Sequence, residues 1–176
     1  MKKVITVAAL LVLFAFAFSL APSATAAPPG PTIVDVAIEV NSEGPFAGQF
    51  DTLIAAVLAA DPAVVNTLSG NGQYTVFAPT DDAFADLGLY PSNIGTALDQ
   101  GTLTEILLYH VTHGRRNSNA VLGSQQINTL QGSFLYQDSG VLTDQLGREA
   151  NIIVTDVKAG NGLIHAIDAV VLPFAP

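Results

Sequence analysis

Two hydrophobic rhythms alternate along this chain, after an opening run that follows neither. Val4 to Leu20 is an uncharged apolar stretch. Further on, the segment from Phe50 to Ala60 places Leu53, Ile54, Val57 and Leu58 at i, i+4 spacing, which predicts an amphipathic helix. Asp61-Pro62 stops that helix and starts another, because Asp is a natural N-cap and proline needs no N–H at the first helical position. Ahead of both, Thr32 can cap a short helix over Ile33–Ile38, with a loop from Asn41 to Gln49. Ser69-Gly70-Asn71-Gly72 reads as a turn, after which the period falls to two. Tyr74 to Ala78 alternates like a strand that Pro79 ends. Thr80-Asp81-Asp82 opens a further helix, with acids at its positive dipole end and Thr80 or Asp81 as cap. Thr102 and Glu105 have capping-box spacing ahead of Ile106-Leu107-Leu108, which predicts a buried helix ending near Tyr109-His110 before Gly114.

From Val121 onward the pattern is β throughout. The candidate strands are Gln126–Leu130, Ser133–Tyr136, Val141–Thr143, Ile152–Val157 and Leu163–Leu172. Asn161-Gly162 is a strong two-residue hairpin signal between the last two. On that final strand His165 shares a face with Leu163 and Ile167, and Ile164 faces the other way. Helices first and antiparallel sheet second make an α+β layout.

The opening run acquires meaning from its flanks. Lys2 and Lys3 precede it, Pro22 and Ser23 break it, and Ala24-Thr25-Ala26 supplies the small residues a signal peptidase needs. The expectation is a leader over 1–26, an extended proline-rich lead-in over 27–31 and one domain over 32–173. Export places the mature chain outside the cell or at its surface, or in the periplasm of a host with an outer membrane, with no membrane span left after cleavage. Loss of Lys2 and Lys3 takes the formal charge from −9 to −11. So acidic a chain, with Arg115-Arg116 as the mature part's one basic pair, is unsuited to nucleic acid or anionic lipid. There is no cysteine, so stability must come from the core alone.

A search for catalytic motifs finds no nucleophile elbow, phosphate loop or zinc-helix pattern. His110 and His113 are three apart, but Gly114 suggests that the helix ends between them, and no acidic third ligand lies nearby. No metal or other cofactor is expected. Asp138 and Asp144 flank a turn and read as solvated loop acids rather than a calcium loop, for which the regular oxygen ligands are absent.

Three blocks nevertheless stand out: Thr75-Val76-Phe77-Ala78-Pro79-Thr80-Asp81-Asp82-Ala83-Phe84, Leu107-Leu108-Tyr109-His110-Val111, and Asn161 to Asp168 with Val170-Val171-Leu172-Pro173. In order and spacing they resemble the signature blocks of the fasciclin domain family, from about Thr32 to Pro173. The resemblance implies a fasciclin-like wedge: a twisted antiparallel β-sandwich with several helices packed on one side. It also implies an extracellular adhesion or matrix module without catalytic activity, whose partner is a surface protein or polymer. It marks Thr80, Asp82, Tyr109, His110 and His165 as motif residues with a structural or a partner-binding role. A second implied reading is a carrier of an apolar small molecule such as a carotenoid, for which an exposed apolar patch near Thr102–Tyr109 would be the sign. The stretch from Asn41 to Gln49 departs from the family pattern and reads as a loop insertion.

Overall fold

The computed structural model describes residues 30–175. The leader over 1–26 and most of the proline-rich lead-in lie outside the described residues. Helix α1 (Ile33–Ser42) starts at a capping box in which Thr32 and Asp35 bond each other's backbone, and it runs four residues further than its apolar pattern suggests. The connection to α2 (Asp51–Ala59) is tied down rather than loose. Asn41 accepts the Phe50 N–H at 2.8 Å and donates to Asp51 at 2.8 Å, while Phe46 packs 6.4 Å from Phe50. Asp61 caps α3 (Pro62–Leu68), with Pro62 in the first position.

Strand β1 (Tyr74–Pro79) leads into α4 (Asp81–Ala85), and Thr80 provides the cap. Short α5 (Ile94–Ala97) precedes α6 (Gln100–Tyr109). Here the structure corrects one expectation: α6 is capped by Asp99, not Thr102. The Asp99 carboxylate accepts the N–H groups of Gly101 and Thr102 on one oxygen and the Thr102 hydroxyl on the other, which leaves Thr102 inside the first turn. His110 closes α6, and β2 (Val111–His113) follows at once. After α7 (Ser118–Leu122) come β3 (Gln126–Asn128), β4 (Phe134–Asp138), β5 (Val141–Thr143), β6 (Glu149–Ala159) and β7 (Gly162–Ile167). The last strand therefore stops five residues short of Leu172. Its hairpin turn is Gly160-Asn161, with Ala159 opposite Gly162, one residue earlier than expected.

The expected α+β class is the one found. The strands form one seven-stranded sheet in the order β2-β1-β7-β6-β5-β4-β3. Every pairing is antiparallel except β1 with β7, which run parallel. The sheet does not close into a barrel, although an isolated bridge from Thr112 to Thr129 links its two ends. Alternation along the central strands separates two cores. Val76 and Ala78 of β1, with Ile164 and Ala166 of β7, face the helices. Phe77 and Ile167 point the other way and meet Ile127, Leu135, Leu142 and Ala150, so six strands curl around one interior. Along β6 the register shifts between Ile152 and Val157, a stretch that includes Asp156 at φ 62°, as β-bulges do.

Candidate functional site

Strand β1 gathers the three signature blocks. Its Phe77 N–H donates to the His110 carbonyl at 2.9 Å, and its ring stacks on His165 with centroids 5.8 Å apart. The Thr80 N–H donates to Ile167 at 3.2 Å. Tyr109 and Phe77 share the sheet-enclosed core. Blocks distant in sequence thus converge, but four of the side chains that define them point inward. Thr80, Tyr109, His110 and His165 are buried, whereas Asp82 is exposed in the first turn of α4.

Each buried polar tip has a main-chain partner. The Tyr109 hydroxyl donates to the Phe134 carbonyl at 2.8 Å, and burial pushes its pKa up to about 12. His110 Nδ1 lies 2.8 Å from the Ile106 carbonyl, and Nε2 accepts the Val171 N–H at 3.3 Å. Those partners require a neutral ring with its proton on Nδ1, and burial lowers the pKa to about 4. His165 has the opposite tautomer: Nε2 donates to the Arg116 carbonyl at 2.8 Å, while Nδ1 accepts the Asp156 N–H at 3.3 Å. His113 lies apart from His110 on the exposed edge of β2, with its ring 5.6 Å from Tyr74. Among the described residues no group of three or more His, Asp or Glu is placed to hold a metal ion.

Three polar residues do more than their sequence signals suggested. Asp81 does not cap its own helix; its carboxylate accepts the Thr52 N–H at 2.8 Å and so caps α2, whose N-cap Phe50 has no suitable side chain. Asn161 is fully buried, accepting from Ile33 and donating to the Leu68 and Gly70 carbonyls. Asp144, expected in solvent, is 3% exposed and paired with Arg148 at 2.7 Å. The i, i+4 spacing of opposite charges was the available signal for that pair.

Two apolar hollows flank His110. A cavity of about 350 Å³ lies among α4, α5 and α6, lined by Phe84, Ile94, Leu103 and Ile106. A cleft of about 130 Å³ lies along α1 and α2, lined by Val34, Ile38, Ile54 and Leu58. Leu53, Leu107 and His110 border both. The large apolar side chains most open to water here are Leu58 at 75% and Ile38 at 47%, so the exposed patch lies on α1 and α2 rather than on α6. Among the described residues no single helix is long and apolar enough to cross a membrane.

The seven-stranded sheet and its helices match the fasciclin domain fold. The fasciclin domain model matches residues 48–173, and the chain belongs to that family. It is 41% identical over 131 residues to Protein sll1483 of Synechocystis sp., covering 70% of this chain and 67% of that one. It is 34% identical over 134 residues to the cell surface glycolipoprotein MPB83 of Mycobacterium bovis, covering 75% of this chain and 58% of the relative. With the transforming growth factor-beta-induced protein ig-h3 of Sus scrofa it shares 33% identity over 148 residues, 83% of this chain but 20% of the relative. Among solved structures, the domain pair of the insect cell adhesion molecule fasciclin I matches with a TM-score of 0.53 and 26% identity, over 66% of this chain and 42% of that one. The family's cell-surface and adhesion members fit a binding module.

Proposed function

We propose that this chain is an extracellular adhesion or surface-binding module that acts through its outside surface and carries out no catalysis. The observation that supports it most is the condition of His110, one of the two histidines of the motif blocks. Its two ring nitrogens are taken by main-chain partners and its side chain is buried, so it is occupied with holding the fold. Placement outside the cytoplasm draws on the leader pattern of residues 1–26 and on relatives described as cell-surface or adhesion proteins. One domain offers one contact, so adhesion requires either self-association or a repetitive partner. Size-exclusion chromatography and pull-down from the host's envelope and medium test this. A strict monomer that retains no cell, glycan or envelope protein removes the reading.

A second reading, a carrier of an apolar small molecule, is favoured by the cleft along α1 and α2. Apolar walls of this kind suit a ligand that gains by leaving water. Protein purified from its native host would then carry visible absorbance if the ligand were a carotenoid. Leu58→Asp would reduce uptake without unfolding the domain, and a colourless protein that takes up no carotenoid counts against this reading.

A further inference from the structure

We propose that the outer face of strands β3 to β6 binds a neutral polysaccharide, with the rings of Phe134 and Tyr136 as its stacking platform. This rests on the adhesion reading above and names the partner class for it. Strand alternation sets the face. Ile127, Leu135, Leu142 and Ala150 are fully buried, so their neighbours along each strand point outward. Register then lines up a row across four strands: Gln126 opposite Tyr136, Tyr136 opposite Thr143, and Thr143 opposite Glu149. Side chains opposed in this way stand about 5 Å apart. Phe134 is two residues along from Tyr136 on the same face, opposite Asn128.

Both rings are 43% exposed, and the outward residues opposite them, Asn128, Gln126 and Thr143, are polar. Their support is stiff. The Phe134 carbonyl accepts the buried Tyr109 hydroxyl at 2.8 Å and the Gln145 side-chain N–H at 2.6 Å. Tyr109 thus acts as a positioning residue, anchored in the core and fixing the backbone beneath an exposed ring.

The surroundings select the occupant. A sugar ring has a face of C–H groups and a rim of hydroxyls. Aromatic faces pack against the first, and the amide, hydroxyl and carboxylate of Gln126, Thr143 and Glu149 can exchange hydrogen bonds with the second. The outward residues of these paired rows include no Lys or Arg, and Asp138 and Glu149 repel an anionic polymer. Arg148, the nearest cation in sequence, is held by Asp144. A stable protein partner needs about 800 Å² per side around a desolvated anchor, and two half-exposed rings among polar groups are a small platform by that measure. A polymer of identical units also answers the valency question, since many copies of a one-contact domain can line one chain.

The test is affinity electrophoresis of the protein, expressed with its own leader, through native gels containing laminarin, hydroxyethyl cellulose, dextran or dextran sulfate. Retardation is expected in at least one neutral glucan gel and not in dextran sulfate. Tyr136→Ala should weaken it at least about tenfold, Phe134→Ala should weaken it several-fold, and Tyr136→Phe should retain most of it. Melting temperatures should stay close to wild type, because both side chains are surface groups. Normal mobility in every neutral gel, retardation that survives Tyr136→Ala, or stronger retardation by dextran sulfate than by dextran each overturns the proposal. The parent reading is separable. Capture of an envelope protein without any glucan retardation leaves adhesion standing and removes this inference, whereas neither capture nor retardation removes both.

Discussion

The ring of His110 accepts the backbone N–H of Val171 at 3.3 Å and so ties the end of α6 to the C-terminal tail, 61 positions away. The bond exists only while Nε2 carries a lone pair. Burial enforces this by lowering the folded-state pKa from 6.5 to about 4. In the unfolded chain the imidazole takes its proton near the ordinary value, so between those two pH values the unfolded state binds more protons. Stability from the neutral ring is therefore complete above about pH 6.5, falls by up to roughly 3 kcal/mol as pH drops towards 4, and levels off below. Urea unfolding at pH 7 and pH 4.5 checks this. His110→Gln, which cannot titrate, should lose less stability between the two than wild type does. Equal losses would refute the assignment, since the carboxylates contribute alike to both proteins.

Asp81 and Asp82 are adjacent acids with unequal duties. Asp81 caps α2 through Thr52, whereas Asp82 is exposed in the first turn of α4. Asp81→Ala should cost about 1 kcal/mol, as lost N-caps do, while Asp82→Ala should stay within about 0.5 kcal/mol of wild type. Denaturant midpoints of the two variants distinguish them, and equal effects would mean that the Thr52 contact contributes nothing.

Local features of the fold were legible in the chain; long-range ones were not. Thr80 and Asp61 as caps and the strand at Tyr74 all follow from neighbours within a few residues. Where two local signals compete, sequence cannot arbitrate. Asp99 and Thr102 are both cap-formers, and the Asp99 carboxylate takes the cap, with Thr102 inside the first turn. In Gly160-Asn161-Gly162 either glycine could belong to the turn. Gly162 falls in the strand, at a position where a Cβ would collide with the Tyr74 carbonyl and with Ile33, so glycine is required there. The parallel pairing of β1 with β7 and the partner of Asp81 depend on segments dozens of residues apart, and no periodicity reports that. Of the candidate site, the sequence identified the motif residues but not their direction. A Tyr or His at the end of an apolar helix looks alike whether its tip meets a partner protein or, as here, a main-chain carbonyl.

Asn161 connects α1, α3 and the β6–β7 turn through one amide. Its oxygen accepts the Ile33 N–H at 2.8 Å, and its NH₂ donates to Leu68 at 2.6 Å and Gly70 at 2.9 Å. Asn161→Asp preserves the shape but turns a carboxylate oxygen towards two carbonyls in a fully buried site. It should destabilise by roughly 3 kcal/mol or more, and at least as much as Asn161→Ala, because an unpaired buried charge costs more than unpaired neutral groups. Thermal melts of both variants give the order. A mild Asp variant would show that water reaches the site.

Asp144 holds the segment at Leu172 through a buried carboxylate. Oδ1 accepts the N–H groups of Leu146 and Arg148 at 2.8 and 2.9 Å, while Oδ2 accepts the Leu172 N–H at 3.0 Å and the Arg148 guanidinium at 2.7 Å. Burial alone would push this carboxyl up, yet the Leu172 and Arg148 N–H groups, the guanidinium and Leu146 hold it below the ordinary 3.8. A depressed carboxyl contributes stability that is fully present above the unfolded value and is lost as pH falls through the folded one, so its window lies below about pH 3.8. Asp144→Asn keeps an oxygen for one pair of donors but presents an NH₂ group to Leu172 and Arg148, or the reverse if the amide turns over. The expected loss is roughly 2–4 kcal/mol at pH 7. Arg148→Ala should cost less, about 1 kcal/mol, because the carboxylate retains three main-chain donors and the Arg148 side chain is 36% exposed. In a double-mutant cycle the Asn substitution should therefore dominate. If Arg148→Ala proved the costlier change, the ion pair rather than the main-chain cage would be what holds the tail at Leu172.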